Sequence, residues 1–362
     1  MVNMSNDDPY GYLLVHFIED PTSYAERIYM DLSVGDNPNS WRPLNGGVPV
    51  LTSHVGTTGS RDPYVVRNPE TGCIYLLATD LRVFGKEGGS DRIEDWYARS
   101  HQGSTNLLVW QTDDLVHWSD VRLLDVSDRG DGSHAQLGMA WAPEATWVPD
   151  YYPQGHSGGS GAFVLYWSSK LFADDDSGHE DPTVHDRVLW GVTTDFTQET
   201  FSLGGVFIDR GHDTIDTTML QLESPSGAKR TYRVTKDNGP DPNIWLDATD
   251  DPHWWLPQTR WTVLQERIGA NWIEDNNPAG VEGPALFASH SDPNVYLYVD
   301  VIPSIGYRPM VGSDPDRGFE YMALDDFHMR AHTKHGGVLS LTRAEYERLR
   351  SSDGIIGTGT RR

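Results

Sequence analysis

An all-β fold, a five-bladed β-propeller in one domain, is what this sequence predicts, and three observations carry the prediction. Turn residues are abundant, with 36 Gly and 22 Pro in 362 residues. They break the chain roughly every eight to twelve positions into short runs rich in Val, Tyr, Trp and Leu, as in proteins built from many short strands. Helical periodicity is scarce. Finally, one local pattern recurs five times: an apolar strand, then Ser or Thr with Asp nearby, then an aromatic residue.

The copies run along the whole chain. The first is Ile28-Tyr-Met-Asp-Leu-Ser33 with Asp36 and Trp41, and the second is Leu108-Val-Trp-Gln-Thr112-Asp113 with Trp118. Leu189-Trp-Gly-Val-Thr193 with Asp195 and Phe201 is the third, and a weaker fourth copy is Ile244-Trp-Leu246 with Thr249, Asp250 and Trp261. Met310-Val-Gly-Ser313-Asp314 with Phe319 is the fifth. The closing aromatics are 77, 83, 60 and 58 residues apart, room for three or four strands per copy. Radial repetition of such a unit leaves only short, protected sheet edges. A β-sandwich with similar turns is the competing architecture. The long second interval holds the Gly/Ser/Asp/His-rich stretch Gly155–Asp186, which is expected to be a surface loop. A capping box, Thr342-Arg-Ala-Glu345, opens a short C-terminal helix over Glu345–Arg350. No linker divides the chain, so one domain over residues 11–350 is expected, with tails at 1–10 and 351–362.

Composition narrows the function. A net charge of −25 argues against nucleic acid, whose phosphates need a basic surface, and against anionic membranes. With 13 Trp and 16 Tyr, the chain has many flat rings with a polar edge, which suit sugars as well as a core. Cys73 is the single cysteine and lies beside the apolar run Ile74-Tyr-Leu-Leu77, so a packed thiol is expected there. No run approaches the roughly 20 apolar residues of a membrane span. The first residues show neither a basic nor an apolar leader pattern. The protein is therefore expected outside the cell or on its surface as a module of a longer chain, with the cytoplasm as the alternative, and as a monomer.

Three acids stand where the chain enters strands of three different repeats: Asp62 in Arg61-Asp-Pro-Tyr-Val-Val66, Asp216 in Thr214-Ile-Asp-Thr-Thr218, and Glu282 in Gly280-Val-Glu-Gly-Pro-Ala-Leu286. Asp before Pro starts turns, and an Asp can bond neighbouring amides, so neither aspartate is informative alone. Glu282 is different. A buried ionised carboxylate without a partner costs several kcal/mol, and a site that keeps it protonated turns it into a general acid. Glycoside hydrolysis needs a carboxylic acid on one face of the bond and a carboxylate on the other. A third acid can orient the donor and tune it.

These residues resemble glycoside hydrolase family 43, from about Gly11 to Leu349. The resemblance implies a five-bladed propeller with Asp62 as general base, Asp216 as the acid that tunes and orients the donor, and Glu282 as general acid. Asp213 rivals Asp216. Met139-Ala-Trp141-Ala-Pro-Glu144 is similar to the family's Trp-Ala-Pro segment, although many members carry Asp where this chain has Glu144. Lys334-His335-Gly336 with Val338-Leu-Ser-Leu-Thr342 looks like its closing strand. The family often places that histidine near a central ion or water, so His335 is the candidate metal contact, directly or through water.

Trp141 is expected as a stacking platform for sugar, with Glu144, Arg233 and Lys236 as further substrate contacts. His212, His290, His328 and His332 show no metal-like spacing, and Asp174–Asp181 has the composition but not the register of a calcium loop. The chemistry requires no cofactor; the resemblance leaves room for calcium or another ion in the channel. It implies an inverting exo-glycosidase on plant oligo- or polysaccharides, with α-L-arabinofuranosyl ends of arabinan, arabinoxylan or arabinogalactan first. A β-xylosidase, an exo-β-galactosidase and a non-catalytic carbohydrate-binding propeller are the alternatives. Inversion requires the acid and base carboxyls roughly 6.5–9.5 Å apart.

Overall fold

The computed structural model describes residues 6–19, 26–84, 93–223, 227–240, 243–269, 280–302 and 305–359. Five four-stranded antiparallel sheets form a ring of blades. From the centre outwards, the first blade is Thr333–Thr342, Pro9–Ile18, Tyr29–Val34 and Asn37–Pro43, so the chain's C-terminal blade strand closes the ring inside its N-terminal sheet. Leu13 faces Leu339 across that closure. The second blade is Arg61–Arg67, Ile74–Thr79, Asn106–Thr112 and Arg122–Asp125; the third is Trp141–Val148, Ala162–Lys170, Asp186–Thr193 and Ser202–Ile208. The fourth is Thr214–Glu223, Lys229–Asp237, Asn243–Thr249 and Thr262–Ile268, and the fifth is Val281–Ala288, Val295–Val301, Gly306–Gly312 and Glu320–Tyr321. The five innermost strands touch one another around the axis.

The strand sequences follow from being buried on both faces. Successive side chains in a strand point to opposite faces, and here each face meets a neighbouring blade. Leu13 and Val15 join a cluster with Leu76 and Trp110 of the second blade, while Tyr12 and Leu14 pack with Phe287 and Tyr298 of the fifth. In the third blade Phe163, Leu165 and Trp167 face the second blade, and Val164 and Tyr166 face Met219 and Trp245 of the fourth. A cluster around Val234, Leu246, Leu297 and Met310 fills the interface of blades four and five. Middle strands such as Ala162–Lys170 and Val295–Val301 are thus nearly continuous buried runs, whereas outer strands such as Thr262–Ile268 stay polar and partly exposed.

The recurring sequence unit marks the third strand of every blade and the step beyond it, and four of its closing aromatics, at 41, 118, 201 and 319, are buried. One expectation is corrected. Gly155–Asp186 is not a surface loop throughout, because Ala162–Lys170 is the fully buried second strand of the third blade. A Gly/Ser-rich turn before it and an acidic stretch after it disguise it in the sequence. The C-terminal helix runs Arg343–Ser351; Thr342 Oγ1 accepts from Glu345 N, and the Glu345 carboxylate accepts from Thr342 N. Its Tyr346 and Leu349 enter the core between blades one and two. The first strand starts at Pro9, within the expected N-terminal tail. Gly357–Thr358, in the expected C-terminal one, pairs with His117–Trp118, with Ile356 buried beside it. A helix not expected, Ile93–His101, lies between the second and third strands of blade two. Cys73 is half-buried, and burial pushes its thiol up.

Candidate active site

All five innermost strands enter the ring at the same end, and each breaks register with its neighbour within its first few residues. Such a bulge turns a side chain out of strict alternation. In four blades the residue at the break has left-handed backbone: Asp62 (φ 48°), Ala142 (49°), Asp216 (48°) and Gly283 (54°). For the three non-glycine residues that conformation costs roughly 1–2 kcal/mol each. Bonds between blades offset it. Ala142 N donates to Thr79 Oγ1 (2.7 Å), Asp216 N to Ser168 Oγ (3.0 Å), Gly283 N to Asp216 Oδ2 (3.1 Å) and His335 N to Asp300 Oδ2 (2.7 Å). The side chain or acid of one blade satisfies the amide of the next.

Asp62, Asp216 and Glu282 consequently line one cavity of about 350 Å³ with Trp141, Lys334 and His335. Phe17, Leu81 and Trp96 form its apolar side, and the rings of Trp96 and Trp141 meet edge-to-face at 6.0 Å.

The charges are arranged as opposites. His335 Nδ1 lies 3.4 Å from Asp62 Oδ1 and 3.7 Å from Asp216 Oδ2. Burial alone would push its ring down, but Asp216 and then Asp62 push it up to about 10, so it is an imidazolium at neutral pH. Burial acts on Asp62 in the other direction and is outweighed by His335, Arg61 and the Thr79 hydroxyl, which donates at 2.8 Å; Asp62 is held below the usual carboxylate range. Asp216 is pushed up to about 6, chiefly by burial against the pull of His335, with the charges of Glu282 and Asp62 adding to it.

Glu282 departs from expectation. Lys334 Nζ donates to its Oε1 at 2.9 Å, and this ammonium, with Lys236 and Arg61, outweighs burial and holds the carboxyl below its usual range. The free site thus keeps Glu282 ionised rather than protonated.

A family model described as a probable glycosyl hydrolase domain, in the family-43-related group, matches residues 8–347. The chain belongs to glycoside hydrolase family 43. An α-L-arabinofuranosidase of Bifidobacterium longum subsp. longum is 27% identical over 241 residues, 63% of this chain. That match spans only 19% of the relative's own length. Among solved structures, a thermostable family-43 glycoside hydrolase aligns over 79% of this chain and 81% of its own at 16% identity, with a TM-score of 0.47. An exo-β-1,3-galactanase from Phanerochaete chrysosporium aligns over 74% and 52% at 12% identity, with a TM-score of 0.45.

The remaining candidate residues divide. Trp141 faces the cavity. Asp213 does not; it accepts from Asp186 N at 2.7 Å, which leaves Asp216 as the aspartate in the site. Glu144 does not line the cavity: it is 3% exposed, accepts from the Tyr166 hydroxyl at 3.2 Å, and is pushed up to about 8 by burial. Arg233 does not line it either. It grips Asp247 with two bonds, at 2.9 and 2.6 Å, and stacks 3.8 Å over Trp261 on the far side of blade four. Lys236 lies three positions along the same strand and so projects from the opposite face. It is fully buried behind Glu282 and Asp216, its Nζ without a hydrogen-bond partner among the described residues, and does not line the cavity.

His335 Nδ1 faces the carboxylates of Asp62 and Asp216. Among the described residues no group of three or more His, Cys, Asp and Glu could hold a metal ion. In the acidic loop, Asp176 accepts from the amides of Glu180 and Asp181, and Asp174 pairs with Arg129.

Sequence reasoning missed Glu19, Arg61, Trp96, Lys334 and Asp300 as cavity residues. Asp300 could have been found by the argument used for Glu282, as a charge inside the apolar run Val295–Val301. Burial pushes it well above the ordinary carboxylate range. Trp96 stands on an insertion helix and gives no such signal.

Proposed function

We propose that this glycosidase is an inverting, exo-acting enzyme that removes terminal α-L-arabinofuranosyl units from plant polysaccharides. The observation that carries the reading is the convergence of three carboxylates from blades two, four and five on one cavity large enough for about one or two sugar rings. Asp62, held ionised by His335, acts as the base that activates water. Glu282 gives a proton to the leaving oxygen, and Asp216, whose Oδ2 accepts from the amide next to Glu282, orients the donor and tunes it. Trp141 and Trp96 supply flat apolar surface beside the acids, which suits a sugar ring. The arabinofuranosyl choice is supported by the activity of the Bifidobacterium relative. A polymeric substrate places the protein outside the cell or at its surface, as a module of a longer chain.

Hydrolysis of nitrophenyl α-L-arabinofuranoside, β-xyloside and β-galactoside tests the substrate, and NMR of the first-formed anomer tests inversion. Glu282→Gln is expected to lower turnover by about 10³-fold or more on substrates with poor leaving groups while ligand affinity is kept. A carbohydrate-binding propeller has no turnover to lose. Arabinose release with the same anomeric configuration as the substrate would replace inversion by retention.

A further inference from the structure

Lys334 serves two carboxylates at once. Its Nζ lies 2.9 Å from Glu282 Oε1 and 2.8 Å from Glu19 Oε2, and its side chain is 2% exposed. Glu19 follows the second strand of blade one and Lys334 opens the innermost strand of the same blade, so the sheet itself brings the two together opposite blade five. Two carboxylates and one ammonium carry a net charge of −1, so uptake of one proton brings the trio to neutrality. A proton donor bonded to an ammonium must be released from it before it can hold its proton. Glu19 gives the ammonium somewhere to go. Glu19 also reaches a second cation, with Arg61 NH2 3.7 Å away.

We propose that Glu19 and Lys334 form a positioning pair that loads the proton donor: Lys334 swings fully onto Glu19 as the trio takes up a proton, and the proton resides on Glu282. This rests on the reading of Glu282 as the acid. The pair contacts Glu282 rather than the reacting atoms, and its function is to let one residue be ionised in the empty site and protonated in the loaded one. The other charged groups facing Glu282 are His335 beside Lys334, Arg61 and Asp62 from blade two, Asp216 and Lys236 from blade four, and Asp300 from its own blade. Of these, only Lys334 makes a hydrogen bond to its carboxylate among the described residues.

The test is the kcat–pH profile of the intact protein, which reports the groups of the loaded enzyme, on an arabinofuranoside with an alkyl leaving group, where proton donation is needed. Glu19→Gln leaves Lys334 to Glu282 alone, which favours the ionised acid; the alkaline limb is expected to move to lower pH by about one unit. Lys334→Met removes the cation and is expected to move that limb to higher pH. The acidic limb, set by Asp62, stays in place in both. Shifts of opposite sign are what a purely structural role would not produce. An unmoved limb in Glu19→Gln, or loss of activity at every pH with the fold retained, overturns the proposal. If Lys334→Met does not fold, the Glu19→Gln limb decides alone. Glu282→Gln is the control: if the alkaline limb survives in it, the reading of Glu282 as acid has failed, whereas a limb that vanishes there but ignores Glu19→Gln sinks only the loading pair.

Discussion

His335 shows how one side chain holds a site together. It is a cation only because two carboxylates face it, and they are tolerated in a buried cavity only because it is a cation. Its folded pKa, about 10, is above the unfolded value near 6.5. Its contribution to stability is therefore fully present below about pH 6.5 and is lost as pH rises through about 10. Thermal melts of His335→Gln are expected to show a loss of roughly 3–5 kcal/mol at pH 6, as for a broken buried pair, and a flatter Tm between pH 7 and 10 than the parent. Asp216 acts in the opposite sense on its neighbour. Asp216→Asn removes a negative charge beside Glu282 and so favours ionised Glu282; the alkaline limb of the activity profile is expected to move to lower pH. A limb that stayed in place would remove Asp216 from its tuning role.

At the scale of the strand, the bulge is the device that matters. An unbroken strand would send alternate side chains into the two blade interfaces, as Tyr12 and Leu13 do, and no acid would reach the axis. Thr79 connects two of these bulges, donating to Asp62 and accepting from Ala142 N. Thr79→Val keeps the shape and leaves both groups unpaired; a destabilisation of about 1–3 kcal/mol is expected in denaturant melts, with a fall in kcat larger than any rise in KM. Gly336 is needed for a different reason. A Cβ there would stand 1.9 Å from the backbone oxygen of Val15, with rigid strand on both sides. Gly336→Ala is expected to lower Tm by several degrees and to disturb the Lys334–His335 placement that follows from the closing strand.

The whole molecule is a ring closed by its own C-terminus. Truncation after Ala331 removes Thr333–Thr342 and leaves Pro9–Ile18 without its inner neighbour. The product is expected to lose cooperative thermal unfolding, whereas truncation after Ser352, which spares the closing strand and the capped helix, is expected to stay folded with a Tm only a few degrees lower. Calorimetry on the two truncations distinguishes ring closure from mere loss of chain. The ring also explains the uneven legibility of the site. Asp62, Asp216, Glu282 and Trp141 were readable because each begins an innermost strand beside Pro, Gly or a turn. Glu144 was misread because the face it takes depends on where the bulge falls in its strand, and sequence does not mark it; Arg233 lies on an unbroken second strand, and sequence does not say which blade interface its face meets. Glu19 and Trp96 were invisible, since one follows a second strand and the other sits on an inserted helix.

The sequence by itself determined the number of blades and the three acids, because turn chemistry and strand composition are local and repeat along the chain. Only the tertiary structure decided which cation meets which carboxylate, and with that the protonation state of every acid at the centre. Pairing across 50 to more than 270 residues, as between His335 and Asp62 or Lys334 and Glu282, is set by closure of the ring. No local pattern contains it, since electrostatic energy depends on distances in space and on the water excluded between them.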